Sequence, residues 1–264
     1  GNDTGSVGLE TAPFATIQAA INYAISGDQI LVKPGVYSGT LSLNKAITIK
    51  STNGYQQTTL KNINNNETIL TIFGISDFLN PISTNISGFK FVSDNTNSNN
   101  VYGIRIENGA FSNIQNCWFE GITSSISTYY GYYDMINCVY KNLESVSTHD
   151  AGYSDNDKLS RLFNATIINV GSVTNALSPY YTKIYNSIIV RNNVQSGSPY
   201  FNSGAIPLLS KVLIDANPNT QPGSVFTTIS SIDDIYFNDI SNNDYTLKNY
   251  SPAIGYGGAL SEVI

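Results

Sequence analysis

The chain is poor in charged residues, which make up 12% of its 264 positions, about half of the usual share. It has three arginines, Arg105, Arg161 and Arg191, a formal net charge of −6 and a pI near 4.6. Binding to nucleic acid rests on clustered cations that neutralise phosphates. The composition therefore argues against a nucleic-acid partner and predicts a surface built from Asn, Ser, Thr and Tyr.

Long apolar runs are also missing. No run reaches the roughly 18 to 20 residues that cross a bilayer, so no membrane span is predicted. The chain opens on Gly1-Asn2-Asp3 without a secretory apolar region, and we expect either a removed leader or a piece of a longer polypeptide. The single histidine leaves no room for ordinary His-based triads or zinc sites.

A short motif of apolar residues around an Asn or small residue recurs along the chain. The equivalent positions are separated by 28, 21, 27, 22 and 24 residues. These positions are Gly88, Asn116, Asn137, Asn164, Asn186 and Ser210. A period in the low to mid twenties, with strand-like segments, is typical of the coils of a parallel β-helix. We predict that the six positions stack in one turn, where Asn amides bond along the column.

Cys117 and Cys138 occupy the same place in successive repeats. Equivalent side chains in neighbouring parallel strands lie about 4.8 Å apart, whereas a disulfide needs Cβ atoms about 3.8 Å apart. The sequence therefore predicts two buried, reduced thiols. Glu120 and Lys141 also share a register and predict an exposed ion pair.

The N-terminal segment predicts a cap. Residues 12–27 place Phe14, Ile17, Ile21 and either Ala24 or Ile25 on one face of a short helix, with Thr11 as N-cap and Gly27 as stop. We expect a single domain over 1–264, with the cap helix at 12–27, coils over 28–250 and a tail at 251–264.

Two terminal motifs carry a family resemblance. The segment Pro13–Tyr37, with its PF-x-TIQ-x-AI and GD-x-I-x-V-x-PG-x-Y patterns, resembles the opening of the pectate-lyase-like β-helix superfamily. Residues 244–255 resemble its closing segment. The resemblance implies an all-β, right-handed, single-stranded parallel β-helix with an N-terminal capping α-helix, working outside the cell or on a virion surface. This scaffold hosts lyases, hydrolases, esterases, tailspikes and adhesins, so it does not fix an activity.

Two activities of that superfamily lack their motifs here. Pectin methylesterases resemble the chain at Gln115–Gly121, but their Asp, Asp and Arg motifs do not follow Gly121. Polygalacturonases need paired Asp residues, a Gly-His-Gly and an Arg-x-Lys, and of these only Asp233-Asp234 is present, with no histidine nearby.

The richest charged stretch is 149–161. By resemblance to pectate lyases, Asp150, Asp155 and Asp157 are candidate Ca²⁺ ligands, because a hard cation takes several oxygen ligands. The candidate catalytic bases are Lys158, Arg161 and, on another strand, Arg105. The alternative interpretation of 149–161 is a solvated loop between coils that binds no cofactor.

Tyrosines supply the stronger binding candidates. Paired tyrosines lie in or beside predicted turns, at Tyr129, Tyr130, Tyr132, Tyr133, Tyr180 and Tyr181. A tyrosine ring has an apolar face and a polar tip, which suit stacking on sugars or packing on protein. We expect 129–133 to neighbour the loops 94–100 and 150–161 in one contact surface.

The leading hypothesis is a non-catalytic surface module, such as an adhesin, fibre or shell component, that binds polysaccharide, surface glycan or neighbouring copies. The alternative is a calcium-dependent lyase acting on uronic-acid polysaccharide.

Overall fold

The computed structural model describes residues 1–5, 7–64, 66–75, 80–93, 101–151, 160–170, 172–176, 182–190, 208–215, 220, 222–251 and 253–254, with backbone alone at 149–151 and 172–176. Within these ranges, short strands repeat in sets of three, and each strand pairs in parallel with its counterpart in the next coil. The strands thus form three ladders that run along a coil stack, which confirms the predicted parallel β-helix.

Ladder 1 contains the first strand of each coil. Its members are β1 (Gln29–Val32), β4 (Thr48–Ser51), β7 (Ser83–Ser87), β10 (Phe111–Gln115), β13 (Tyr132–Ile136), β16 (Ser160–Phe163), β19 (Thr182–Tyr185) and the first half of β21 (Leu208–Ile214).

Ladder 2 contains the second strand of each coil. Its members are β2 (Gly35–Ser38), β5 (Thr58–Asn62), β8 (Lys90–Ser93), β11 (Trp118–Glu120), β14 (Val139–Lys141), β17 (Thr166–Ile168), β20 (Ile188–Val190) and the second half of β21, with β22 (Val225–Thr228) paired to β21.

Ladder 3 contains the third strand of the first six coils. Its members are β3 (Leu41–Leu43), β6 (Thr68–Phe73), β9 (Tyr102–Glu107), β12 (Ser124–Tyr129), β15 (Ser145–Ala151) and β18 (Ser172–Ala176).

The core is a set of in-register side-chain stacks. Side chains alternate between the two faces of a strand, so one row of each ladder points inward. Ladder 1 contributes Ile86, Ile114, Met135, Leu162, Ile184 and Leu209, all buried and paired in that order. In ladder 2, Phe119 stacks on Phe91 at 4.8 Å and on Tyr140 at 5.6 Å between ring centroids. The repeat seen in the sequence is therefore the stacking period of the core.

The turn between ladders 1 and 2 contains the predicted asparagine column. Asn116, Asn137, Asn164 and Asn186 follow equivalent strand residues and have φ between 48° and 54°. Asn164 Nδ2 donates to Asn137 Oδ1 at 2.9 Å, and Asn137 Nδ2 donates to Asn116 Oδ1 at 3.4 Å. The stacked turn is confirmed for all four residues, and the amide bonds along it are confirmed from Asn116 to Asn164.

The last member of the column was predicted one residue too early. Ser210 pairs with Tyr185, so the counterpart of Asn186 is Lys211, which has φ 55°. The error has a physical source, since a lysine in the left-handed region gives no sign of a turn in the sequence.

A second column lies in the turn between ladders 2 and 3 and was missed. Gly121, Asn142 and Asn169 all have positive φ, and Asn169 Nδ2 donates to Asn142 Oδ1 at 3.4 Å. Each lies five positions after a member of the first column, and that repeated spacing was the available signal.

The cap helix is shorter than the predicted 12–27. Helix α1 (Ile17–Tyr23) has Thr16, not Thr11, as its N-cap, and Ala24, not Gly27, as its C-cap. The Asp3 carboxylate accepts hydrogen bonds from the backbone N–H groups of Ala15 and Thr16, immediately before the helix. Ile17, Ile21 and Ala24 are buried against the first coil, as the amphipathic pattern predicted.

The cap also completes the open edge of ladder 3. The Gln18 amide accepts from Ser42 N at 2.8 Å and donates to Ser42 O at 3.1 Å, as a neighbouring strand would. Lys45 Nζ donates to three carbonyls at the end of α1, those of Ile21, Asn22 and Ala24.

The coils end earlier than the predicted residue 250. After β22 the chain forms two 3₁₀ helices, Ile232–Ile235 and Ile240–Asn242, and an antiparallel hairpin of β23 (Phe237–Asp239) and β24 (Asp244–Leu247). We call residues 229–251 the C-terminal cover, because they pack against the outer face of ladder 2. Apolar residues that point outward from ladder 2, Ile168, Val190 and Leu213, explain this packing. No helix in the described ranges is long and apolar enough to cross a membrane.

Candidate functional site

Aromatic side chains gather at the corner where ladder 3 turns into ladder 1. Tyr129 ends β12, Tyr130 forms the turn, and Tyr132 begins β13 beside Phe111 of the preceding coil. Tyr129 and Tyr130 are 41% and 38% exposed, and their ring centroids lie 4.8 Å apart, edge to face. Tyr132 is half-buried, with its ring centroid 5.0 Å from that of Phe111. We call these four residues the tyrosine surface.

Tyr130 has an unusual backbone conformation. Its φ is 58°, and its counterpart one coil earlier is Asn108 at φ 55°. Asparagine tolerates this left-handed region, whereas a bulky side chain makes it sterically unfavourable. Strain of this kind concentrates at functional positions. Asparagine would occupy this turn with less strain than tyrosine. The presence of Tyr130 therefore favours this corner as a functional site.

Tyr133 does not belong to the tyrosine surface, so its prediction as a binding residue is wrong. Its side chain points inward from β13 and is fully buried. Burial raises the pKa of Tyr133 to about 12. Strand alternation puts Tyr132 and Tyr133 on opposite faces, and the tyrosine pair gave no sign of which residue faces inward.

Two ion pairs flank the tyrosine surface. On ladder 3, Arg105 Nε lies 2.5 Å from Glu107 Oε1, and Glu107 is the strand partner of Tyr129. On ladder 1, the Arg161 guanidinium forms a bidentate ion pair with the Asp134 carboxylate, with Nε 2.6 Å from Oδ1 and Nη2 in contact with Oδ2. Asp134 lies two residues after Tyr132 and faces the same side. The charges beside the aromatic rings are thus internally compensated.

The structure does not favour Arg161 as a catalytic base. Its hydrogen bond to Asp134 and the charge of that carboxylate raise the pKa of Arg161. A general base needs a pKa lowered toward the working pH. Arg161 also lies over the Phe163 ring at 5.4 Å. These contacts indicate a structural role for Arg161, in which it joins neighbouring strands on the outer face of ladder 1.

Several predicted site residues lie outside the described structure. Lys158, Asp155, Asp157, Tyr180 and Tyr181 are among them, and so is the side chain of Asp150. The predicted meeting of 129–133 with the loops 94–100 and 150–161 falls there too. Among the described residues, no three His, Cys, Asp or Glu side chains are grouped so that they could hold a metal ion.

The chain after Gly121, where the Asp and Arg motifs of pectin methylesterases are missing, forms a strand that begins with two buried serines. Ser124 and Ser125 are buried at the start of β12, where Ser124 Oγ donates to Ile126 O at 2.8 Å and Ser125 Oγ donates to Val146 O. Hydroxyls bonded to main-chain carbonyls in the interior offer neither an acid nor a base to a substrate.

Comparison with solved structures supports the fold. A pectin methylesterase from Yersinia enterocolitica matches with a TM-score of 0.55 and 12% identity over 76% of this chain and 80% of its own. A carrot pectin methylesterase matches with a TM-score of 0.54 and 10% identity over 88% and 90%. No family model matches the sequence, and no curated protein matches it at a significant level. The chain therefore has the right-handed, pectin-lyase-like parallel β-helix fold that these pectin methylesterases share.

Proposed function

We propose that this protein is a non-catalytic, carbohydrate-binding β-helix module that works outside the cell or on a virion surface, as part of an adhesin, fibre or shell. The tyrosine surface is its contact with polysaccharide. The observation that carries the proposal is the pair of exposed rings at Tyr129 and Tyr130, held on a rigid corner beside two compensated ion pairs.

The chemistry of the corner suits a sugar chain. Tyrosine rings stack on the apolar faces of sugars, and their hydroxyls exchange hydrogen bonds with sugar hydroxyls. Arg105 and Arg161 are each held by a carboxylate, so they can orient hydroxyl or carboxylate groups without acting as bases. A rigid β-helix also loses little conformational entropy when it binds.

Substitutions at the corner test the proposal. Tyr129→Ala removes one ring, and Tyr130→Asn removes the other while keeping a residue that accepts φ 58°. Tyr132 is a poor target, because its contact with Phe111 would couple binding to stability. We expect each variant to bind the polysaccharide that the wild type binds about tenfold more weakly, which corresponds to about 1.4 kcal/mol. The melting temperature should stay unchanged in Tyr129→Ala and rise in Tyr130→Asn, because asparagine relieves the backbone strain at φ 58°.

Affinity electrophoresis in gels that contain neutral or uronic polysaccharides would measure the effect. Tyr250→Ser is the matched control, since Tyr250 is highly exposed on the C-terminal cover. Retardation that is equal in all variants, or lost equally in the control, would refute the tyrosine surface as the contact. Concentration-dependent sedimentation that is weakened by Tyr129→Ala would instead assign the corner to self-association.

The same polysaccharides distinguish the module from the calcium-dependent lyase. A lyase that uses Asp150, Asp155 and Asp157 to hold Ca²⁺ and Lys158 as base would release unsaturated products. The proposal predicts no rise in ultraviolet absorbance with any uronic polysaccharide, with or without Ca²⁺. A rise that disappears on chelation would establish the lyase and overturn the non-catalytic proposal.

A further inference from the structure

A groove of about 800 Å³ lies between the C-terminal cover and the outer side of the coils. One wall contains Asn137 and Asn164 of the first asparagine column, with Thr166 beside them, and the other contains the turn from Asn243 to Tyr245. The volume falls within the range of small-molecule sites. The groove is separate from the tyrosine surface, since it lies along ladder 2 and not at the corner between ladders 3 and 1.

The hairpin wall is anchored firmly. Ile235 and Phe237 pack on the outward apolar residues of ladder 2, and Lys141 Nζ donates to Asn243 Oδ1 at 2.5 Å. The Tyr245 ring lies 5.7 Å from the ring of Trp118. These contacts fix the width of the groove, so a ligand would meet a preformed site.

The floor of the groove is aromatic. Trp118, buried at 3% exposure, lies between Tyr55 at 5.5 Å and Tyr245 at 5.7 Å. Burial raises the pKa of both tyrosines, and their hydroxyls can donate and accept hydrogen bonds. Both tyrosines are half-buried and present part of their rings to the groove.

The charged groups beside the groove are already engaged. Lys90 Nζ lies 2.9 Å from Glu120 Oε2, and Lys141 Nζ lies 3.5 Å from Glu120 Oε1. Asp244 Oδ1 accepts from Thr246 N at 3.0 Å and from Thr246 Oγ1. The remaining polar lining consists of amides and hydroxyls, which favours a neutral ligand over an ion.

The asparagine column offers both donors and acceptors. Asn137 uses one N–H toward Asn116 and one lone pair toward Asn164, which leaves its second N–H and second lone pair. Asn164 retains one N–H in the same way. Asn137 and Asn164 present these groups to the groove from neighbouring coils, about 4.8 Å apart.

We infer that the groove binds a neutral oligosaccharide in an extended conformation along the coil stack. Sugar hydroxyls are both donors and acceptors, so they match the paired amide groups of the column. The apolar faces of the sugar rings match Tyr55 and Tyr245. This site shares no residue with the tyrosine surface. Binding in the groove can therefore be tested separately from the proposed function of the tyrosine surface.

Trp118 is the only tryptophan, so its fluorescence reports occupancy of the groove alone. The probes are hexamers of β-linked glucose, of β-linked galactose and of galacturonic acid. We expect at least one neutral hexamer to shift the emission saturably and the uronic hexamer to leave it unchanged. The Tyr130→Asn variant should give the same titration as the wild type, which separates the two sites.

Asn137→Gly tests the column, since glycine keeps the φ of 54° but removes the amide. We expect it to weaken the neutral hexamer about tenfold. Asn142→Gly is the matched control, because it makes the same change in the second column, at a residue that does not line the groove. If Asn137→Gly folds poorly, Thr166→Val serves instead, because Val139 and Ile188 occupy the same row.

Three results would overturn the inference. The first is an emission that no neutral hexamer changes. The second is an equal loss of binding in Asn137→Gly and Asn142→Gly, and the third is a saturable shift produced by an extended peptide but by no sugar.

Discussion

Cys117 and Cys138 occupy equivalent positions in neighbouring coils, and both are buried and free. The Cys117 thiol lies 3.2 Å from Gln115 O, and Cys138 approaches Ile136 O at 3.5 Å. Burial raises the pKa of the Cys138 thiol well above its ordinary value, which suppresses the reactive thiolate. The prediction of two buried thiols without a disulfide is therefore confirmed.

Alkylation followed by mass spectrometry checks the reactivity of these thiols. We expect negligible labelling of the native protein and two labels per chain after denaturation without a reductant. A denatured, unlabelled chain that is two hydrogens lighter would show a disulfide and contradict the expectation.

Glu120 lies at the centre of a small charged network on ladder 2. Burial by itself would raise its pKa, but hydrogen bonds from Lys90 and Trp118, with the charges of Lys90 and Lys141, lower the pKa of Glu120 overall. A lowered folded-state pKa stabilises the protein at pH values above the unfolded-state pKa of about 4.3. That stabilisation is lost as the pH falls through the folded-state pKa.

Urea unfolding between pH 7 and pH 3 tests the contribution of Glu120. The wild type should lose stability more steeply below about pH 4.5 than Glu120→Gln, and the difference between the two should shrink at acid pH. Glu144→Gln, at an exposed site, is the matched control. Parallel pH profiles for the wild type and Glu120→Gln would show that the network contributes nothing.

The turn columns are the elements that set the register of the coils. Asn137, Asn164 and Asn169 each have a positive φ and donate an amide bond to the preceding coil, so local conformation and inter-coil bonding depend on the same residue. Column members therefore differ from other surface asparagines in what their replacement costs.

Asn164 allows these two contributions to be separated. Asn164→Gly keeps the left-handed turn and loses only the amide bond, whereas Asn164→Ala also strains the backbone at φ 51°. We expect a loss in the free energy of unfolding of about 1 kcal/mol for the glycine variant and about 1–2 kcal/mol more for alanine. Urea denaturation of both variants measures this difference, and equal losses would mean that the turn conformation contributes nothing.

The whole molecule behaves as a stack in which each coil contacts its neighbours. In such solenoids, stability is approximately a sum of coil and interface terms, and ends need caps. Helix α1 closes the first end, with Ile21 buried and Gln18 bonded to the edge of β3. The C-terminal cover instead shields the side of the stack.

Damage to the cap should therefore remain local. We expect Ile21→Ser to cost about 2–5 kcal/mol and to speed amide hydrogen exchange in β1–β6 while β16–β20 stay protected. Ile25→Ser is the control, because Ile25 is 70% exposed. Uniform acceleration across all coils would indicate a single cooperative unit instead of a stack of nearest neighbours.

The fold could be predicted from the sequence because a β-helix repeats the same local requirements in every coil. Apolar motifs that recur every 21 to 28 residues, an Asn in four of the turns between ladders 1 and 2 and an amphipathic helix before the first strand are visible without coordinates. The details of the fold that the sequence did not predict correctly also depended on single residues. A lysine in a left-handed turn hid the last register position, and a tyrosine pair did not show which ring faces inward.

The candidate sites depended on tertiary structure. Asp134 and Arg161 are 27 residues apart in the chain, and Lys141 and Asn243 are 102 apart. Residue spacing within a repeat fixes which side chains stack, because parallel coils stay in register. It cannot show where a segment that leaves the repeat will pack. The Asp134–Arg161 pair beside the tyrosine surface depended on the length of the coil between them, and the groove under the C-terminal cover required the chain to fold back on ladder 2.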